Sequence, residues 1–232
     1  MRKRRWFGLA IAATAAGALA WASAAGLLRI PDRHNPFAPL RVDEAPNWLT
    51  AFKLRRLDRD DVQCRAVLAQ TALRYTPVED RETGTGCGFR NAVRIGATSA
   101  RVEAFTLSCR SAVALSLWER HRLQPAAQRH YGSAVARIEH FGSYACRDIA
   151  GGQGRRSRHA TADAFDFAGV VLANGHRARV AADWNGEAAD AAFLHEIRDG
   201  ACDSFSTVLS PDYNAAHRDH LHLDRGGFGL CR

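Results

Sequence analysis

Lysine is almost missing from this 232-residue chain: only Lys3 and Lys53 occur, and arginine carries nearly all the positive charge. A GC-rich genome accounts for most of that bias, while the planar donor fork of arginine also suits carboxylate or phosphate partners. No acidic residue precedes Asp32, and Arg2, Lys3, Arg4 and Arg5 supply half of the formal net charge of +8. The remainder is only mildly basic and has no aromatic-basic stripe, so no nucleic-acid partner is expected. No Cys-x-x-Cys pair occurs, which leaves a cysteine-ligated zinc site and a thioredoxin-like motif without support. No Gly-x-Ser-x-Gly elbow surrounds any serine, so a serine nucleophile of that type is absent too. There is no internal repeat and no low-complexity tract. With 47% hydrophobic and 24% charged residues, the chain is neither disordered, nor collagen-like, nor a polytopic membrane protein.

What is present begins with an export signature. The basic head precedes an uncharged run, Trp6 to Leu28, long enough as a helix to span a bilayer. It exceeds a usual signal h-region and reads as a retained single-span anchor in the inner membrane. The small-residue triplets Ala18-Leu19-Ala20 and Ala22-Ser23-Ala24 leave a cleaved signal peptide as the alternative. Either way the basic flank stays cytoplasmic and the rest is periplasmic or extracytoplasmic. In that compartment Cys64, Cys87, Cys109, Cys146, Cys202 and Cys231 are expected to form disulfides. Proximity in sequence favours Cys64 with Cys87.

The organisation expected is a signal-anchor or signal peptide over 1–29, a Pro-rich linker over 30–58 and a folded domain over 59–232. Four of the seven prolines, Pro31, Pro36, Pro39 and Pro46, fall in the linker. Asp61 to Leu73 reads as a helix with Val62, Ala66, Leu68 and Leu73 on one face. Ser111–Arg122 and Pro125–Tyr131 read as two further helices, and Ala188–Asp199 as a later one. Gly84 to Gly88 reads as a turn and Gly151 to Arg156 as a flexible basic loop. Strands are expected within 93–109, at 134–141, at 164–172 with a hairpin through Asn174-Gly175 into 177–180, and at 206–209 and 220–224. The fold class is therefore α+β: N-terminal helices packed on a small, mainly antiparallel sheet carrying a metal site.

The chemistry concentrates in two clusters, Ser157 to Asp166 and His217 to Asp224. Alternation along a strand points His220, His222 and Asp224 to one side and Leu221 and Leu223 into the core. Imidazoles beside a carboxylate on a rigid strand are metal-site material, and His159 and Asp166 could add further ligands from a loop and the strand after it. Asp163 and Asp219 read as solvated or supporting groups, and the remaining histidines lack companions.

These residues resemble a known group. Ser157-x-His159-x-x-Ala162-x-Ala164-x-Asp166 is similar to the Ser-x-His-x-x-Gly-x-Ala-x-Asp motif of the zinc D-Ala-D-Ala carboxypeptidase, dipeptidase and murein endopeptidase superfamily. His217-x-x-His220-x-His222 resembles the late motif of its murein endopeptidase branch. More closely, Cys64 to Cys231, with Gly142-Ser143-Tyr144-x-Cys146-Arg147, resembles the bacterial extensin-like C-terminal domain family. The resemblance implies that His159, Asp166 and His222 ligate Zn2+, leaving a position for water. It implies that His220 is the general base, that His217 stabilises the transition state or orients the water, and that Arg147 clamps substrate or polarises the scissile carbonyl. Ser157 would shape the metal loop. The implied function is a cell-envelope zinc peptidase, of carboxypeptidase or endopeptidase type, acting on peptidoglycan stem peptides. The alternative is a non-catalytic, metal-containing module that binds peptidoglycan, with His217 or Asp224 closing the site. One departure stands out: the motif's glycine is Ala162, and alanine resists positive φ.

Overall fold

Nine alanines between Arg2 and Ala24 give that segment high helix propensity, and it forms one helix, α1 (Arg2–Ala24). In the computed structural model, which describes residues 2–26, 30–149, 152, 154–226 and 229–232, α1 falls in a first compact unit, Met1–Ala38. Alanine makes a good helix but a weakly apolar one. No helix among the described residues is long and apolar enough to cross a membrane. The end of the uncharged run, Leu27 and Leu28, lies outside the described residues.

The second unit is Pro39–Arg232. It takes in much of the expected linker, because Leu40, Val42, Leu54 and Leu57 have apolar side chains that join the core. Helices α2 (Thr50–Leu57) and α3 (Asp61–Leu68) come first. Asp60 caps α3 by accepting from the Gln63 N–H, at 2.8 Å. The expected helix face is corrected: Cys64, Val67 and Leu68 are buried, whereas Val62 is 82% exposed.

Strands β1 (Arg74–Val78), β2 (Arg81–Gly84), β3 (Cys87–Phe89), β4 (Ala92–Ala97) and β5 (Phe105–Ser108) follow. They build a three-stranded antiparallel sheet, β1-β4-β5, and a separate β2-β3 hairpin. Helix α4 (Cys109–Trp118) is buried all round, as a helix without a polar face must be. It runs through a π-helical turn, Glu119–Leu123, into α5 (Gln124–Tyr131). The two expected helices are thus one rod whose ladder loosens just before Pro125, which has no N–H to donate.

The second half builds a five-stranded antiparallel sheet from β6 (Val135–His140), β7 (Ala164–Leu172), β8 (Arg177–Arg179), β9 (Thr207–Leu209) and β10 (Leu221–Asp224). The order is β6-β7-β10-β9. The long β7 pairs β10 along its first half and β8 along its second. Phe165, Phe167, Leu221 and Leu223 point inward, and Phe167 meets Trp118 edge-on at 5.2 Å. Between β8 and β9 lie a short helix, α6 (Val180–Asp183), and α7 (Ala188–Ala201). Trp118 Nε1 donates to the Ile197 carbonyl at 2.9 Å, which ties α7 to the central rod.

The disulfides are Cys64–Cys109, Cys87–Cys146 and Cys202–Cys231. The expected Cys64–Cys87 pairing is corrected. Cys64 faces the start of α4, 6.1 Å from Cys109 between Cα atoms, while Cys87 on its hairpin meets the loop carrying Cys146. Closing chain segments of 45 and 59 residues stabilises the fold by about 4 kcal/mol each in the chain-entropy picture.

Candidate metal centre

Strand pairing brings the two motifs together. In the β7–β10 ladder Asp166 lies opposite His222, so their side chains share the sheet face turned away from the core. His159 arrives from a 3-10 turn, Arg158–Thr161, which Ser157 starts by accepting from the His159 N–H. Ser157 thus shapes the loop. Asp166 Oδ1 lies 3.0 Å from His222 Nδ1 and 3.2 Å from His159 Nε2, and these two nitrogens are 3.2 Å apart.

The outer nitrogens decide what this triangle is. His159 Nδ1 faces the Ser143 carbonyl at 3.2 Å, and a carbonyl only accepts, so Nδ1 carries the proton. His222 Nε2 faces Asp224 Oδ2 at 3.4 Å in the same way. With both outer N–H groups committed, two imidazole lone pairs and a carboxylate converge on one point. That arrangement needs a cation or a proton between them. It also fits the second-sphere pattern of metal-ligating histidines. A tetrahedral zinc with ligands at 2.0–2.2 Å sets its donors about 3.3 Å apart, close to the observed edges. Asp224 therefore supports His222 from outside and does not close the site.

The titration directions agree with this convergence. Burial would raise Asp166, but hydrogen bonds from His159 and His222 outweigh it and hold the carboxyl well below the usual carboxylate range. Burial would lower His222, but Asp166 and Asp224 outweigh it and raise the imidazole to about 9. The His222 imidazole thus carries a proton at pH 7.

His220 and His217 stand beside the triangle. His220 Nε2 lies 3.5 Å from Asp166 Oδ1, and its Nδ1 faces Asp219 Oδ1 at 2.9 Å. His217 packs its ring 5.3 Å from that of His220 and 5.8 Å from that of His222. Asn214 Oδ1 accepts from the Ala216 N–H and from His217 Nδ1, which leaves His217 Nε2 bare. Burial, with the charges of His222 and His220 behind it, lowers His217 to about 4, so its ring is neutral at pH 7. All three late histidines line a cleft of about 700 Å³ whose other wall carries Arg147, Arg155, Arg156 and Arg158. Arg147 is exposed there and makes no side-chain hydrogen bond or ion pair among the described residues.

Three further groups support the site, and of these only Asp163 is legible in the sequence, as a solvated or supporting residue. The Ser143 carbonyl leaves no side-chain signal. Asn214 signals itself only as a residue that caps a short helix. Asp163 is 3% exposed and accepts from Ser108 Oγ at 2.6 Å, Thr161 Oγ1 at 2.7 Å and Arg110 Nε and Nη2 at 2.8 and 2.6 Å. Its carbonyl accepts from the Arg225 N–H at 3.0 Å, and the Ser108 N–H donates to the Ala162 carbonyl at 2.8 Å. These bonds clamp the loop that carries His159 between the start of α4 and the end of β10. Ala162 sits in the left-handed region, φ 54°, so the loop makes the turn its motif's glycine would make, with a methyl group in place.

The extensin-like protein C-terminus family matches residues 62–232, and the chain belongs to it. No curated protein and no solved structure matches the chain.

Proposed function

We propose that this chain is a zinc-dependent peptidase of the cell envelope that hydrolyses a peptide bond in peptidoglycan stem peptides. The observation that carries the reading is the triangle of His159 Nε2, Asp166 Oδ1 and His222 Nδ1, with both outer imidazole N–H groups anchored. The motif resemblance to the zinc D-Ala-D-Ala carboxypeptidase and murein endopeptidase superfamily supports it. His159, Asp166 and His222 would hold the ion, and a bound zinc supplies Lewis acidity and an acidified water.

The rest is the work of the protein's own groups. Asp219 fixes His220 with Nε2 toward the centre, an orientation suited to accepting a proton from the attacking water and passing it to the leaving amine. His217, neutral and bare at Nε2, can accept a hydrogen bond and so orient that water. Arg147 offers a free guanidinium fork to a substrate carboxylate or carbonyl. The three disulfides, the basic head and the uncharged run after it support an extracytoplasmic place, anchored at the inner membrane by the N-terminal segment.

A non-catalytic, metal-containing peptidoglycan-binding module would want a fourth protein ligand, and Asp224 is turned to the far side of His222. The test is zinc content and digestion of peptidoglycan fragments, read by mass spectrometry, for the full chain, His159→Ala and His220→Ala. The reading expects about one zinc and cleavage in the unaltered chain. It expects no zinc in His159→Ala, and zinc without cleavage in His220→Ala. Equal zinc in all three with no cleavage would put the binding module in its place.

A further inference from the structure

Two large aromatic side chains stand in water at the start of α2, with no part in the metal centre. Other exposed aromatics of the second unit, Phe141 and Tyr213, line the spaces around the triangle. Trp48, 77% exposed, and Phe52, 41% exposed, line neither space. They make no ring contact and no side-chain hydrogen bond among the described residues.

The frame beneath them is fixed. Asn47 Oδ1 accepts from the Leu49 N–H at 2.8 Å, and Thr50 Oγ1 accepts from the Asn47 N–H at 2.8 Å, so Trp48 sits inside a closed cap. Leu49, Leu54 and Leu57 bury the opposite side of the helix. At its far end Asp58 meets Arg225 at 3.3 Å, which ties α2 to the end of β10. Apolar rings held in water add nothing to the fold; they stabilise only what comes to cover them.

Helical spacing places Trp48, Ala51, Phe52, Arg55 and Arg59 in one stripe, and all five are exposed. The aromatics lead and the arginines follow. Acids close by are already occupied. Arg41 holds Asp43 and Glu44, Asp60 caps α3, and Asp58 turns to Arg225 and Arg110. Arg55 and Arg59 make no side-chain hydrogen bond or ion pair among the described residues. The stripe is thus apolar at one end and uncompensated positive at the other.

We propose that this stripe docks on an anionic lipid surface, with the two rings at head-group level and the two guanidinium groups on lipid phosphates. A tryptophan has an apolar body and a polar N–H, and settles at that depth. The arginine fork matches phosphate oxygens. A peptide or small ligand needs a concavity, and a stable protein partner needs about 800 Å² on each side. A narrow stripe two turns long suits instead a fluid surface that moulds to it. Only about 20 residues, at most ~70 Å of chain, separate it from the end of the uncharged run. With that run in a bilayer, the tether keeps the stripe at high local concentration beside it. The inference rests on the reading of the N-terminal segment as a membrane anchor, and it gives the folded unit its own hold on the same surface.

The test reconstitutes the full chain with vesicles of phosphatidylcholine alone or mixed with phosphatidylglycerol, carrying lipids brominated in the upper acyl chain. Flotation reads the hold of the N-terminal segment. The quenching lost on Trp48→Phe reads Trp48 alone, since the other tryptophans are common to both chains. The ratio of docked to free Trp48 should be at least about tenfold higher with phosphatidylglycerol, and Arg55→Glu combined with Arg59→Glu should remove that gain. Flotation, zinc content and melting temperature of the double variant should match the parent. Floating protein whose Trp48 is unquenched, or quenched regardless of lipid charge and of the double variant, would overturn the inference while the anchor reading stood. Protein that does not float would overturn both. Trp48 shielded from iodide by isolated peptidoglycan but not by vesicles would give this face to the wall and overturn the inference too.

Discussion

Asp163 and Asp166 are three residues apart, and the chain gives them opposite surroundings. Asp163 is met by one guanidinium and two hydroxyls, all donors, which saturate both of its oxygens. Asp166 is met by three imidazoles, His222, His159 and His220, at 3.0, 3.2 and 3.5 Å, all around Oδ1. Two of these histidines have already committed their outer protons elsewhere. A carboxylate saturated by fixed donors can only brace. A carboxylate facing lone pairs asks for a cation. The loop and the strand after it thus set a bracing carboxylate three residues from one that could hold an ion.

The largest effect should come from breaking the second environment. Asp166→Ala removes the anionic ligand, and zinc affinity should fall by more than about a thousandfold, read by equilibrium against a competing chelator. The chelator-treated variant should also melt below the chelator-treated parent, because His222 loses the carboxylate that pairs with it. If the variant keeps its zinc through dialysis, the triangle is not the metal centre.

Breaking the first environment should read out as stability. Asp163→Ala leaves Arg110, Ser108 and Thr161 without their acceptor, and removing one partner of a buried ion pair costs about 3–5 kcal/mol. Arg110 keeps a more distant neighbour, Asp58, at 3.8 Å, so the lower end, about 3 kcal/mol, is expected in urea unfolding. Zinc affinity should drop about tenfold as well, the scale of an outer-sphere loss. A variant as stable as the parent would show that the clamp is not needed.

The comparison also has a pH form. His222 is raised from 6.5 to about 9 in the metal-free protein, and zinc needs its imidazole neutral. Zinc binding at pH 7 should therefore release about one proton, and affinity should rise about tenfold per pH unit until it levels near pH 9. The sign for metal-free stability is the reverse. A raised histidine stabilises the fold below pH 6.5, and that contribution fades as pH climbs through about 9. Calorimetry in buffers of different ionisation heat measures the proton count. Zero protons at pH 7 would mean the inner nitrogens are already bare.

The site was more legible than the frame around it, for physical reasons. His220, His222 and Asp224 are read from period-two alternation, and β10 obeys it because Leu221 and Leu223 must be buried. Asp166 is read because β7 is a single uninterrupted strand. Three things were not legible. The disulfide partners depend on tertiary approach, as Cys64 with Cys109 shows, 45 residues apart. The strand β1 carries Pro77 and is mostly exposed, so it lacks an apolar period to find. Helix α3 turned Val62 outward because Cys64, whose burial follows from its disulfide, fixes the inner face. Asp163 reads as a solvated or supporting group, and the choice between the two rests on Arg110 and Ser108, more than fifty residues earlier.

The finest test of the loop that carries His159 is the residue that ends its 3-10 turn, Ala162. At φ 54° its methyl group meets the preceding backbone, a cost of about 1–2 kcal/mol for an L-residue. Its side chain is also buried, and burying a methyl returns about 0.8 kcal/mol. Ala162→Gly should therefore stabilise the protein by less than about 1 kcal/mol, which differential urea unfolding can resolve. The Ser108 N–H to Ala162 carbonyl bond is a backbone bond and survives the change, so zinc affinity should stay within about twofold of the parent. A larger gain in affinity would mean that the alanine holds the loop away from its best metal geometry. A loss of stability would mean that the methyl contact outweighs the backbone strain, and that this chain has adapted its core to the alanine.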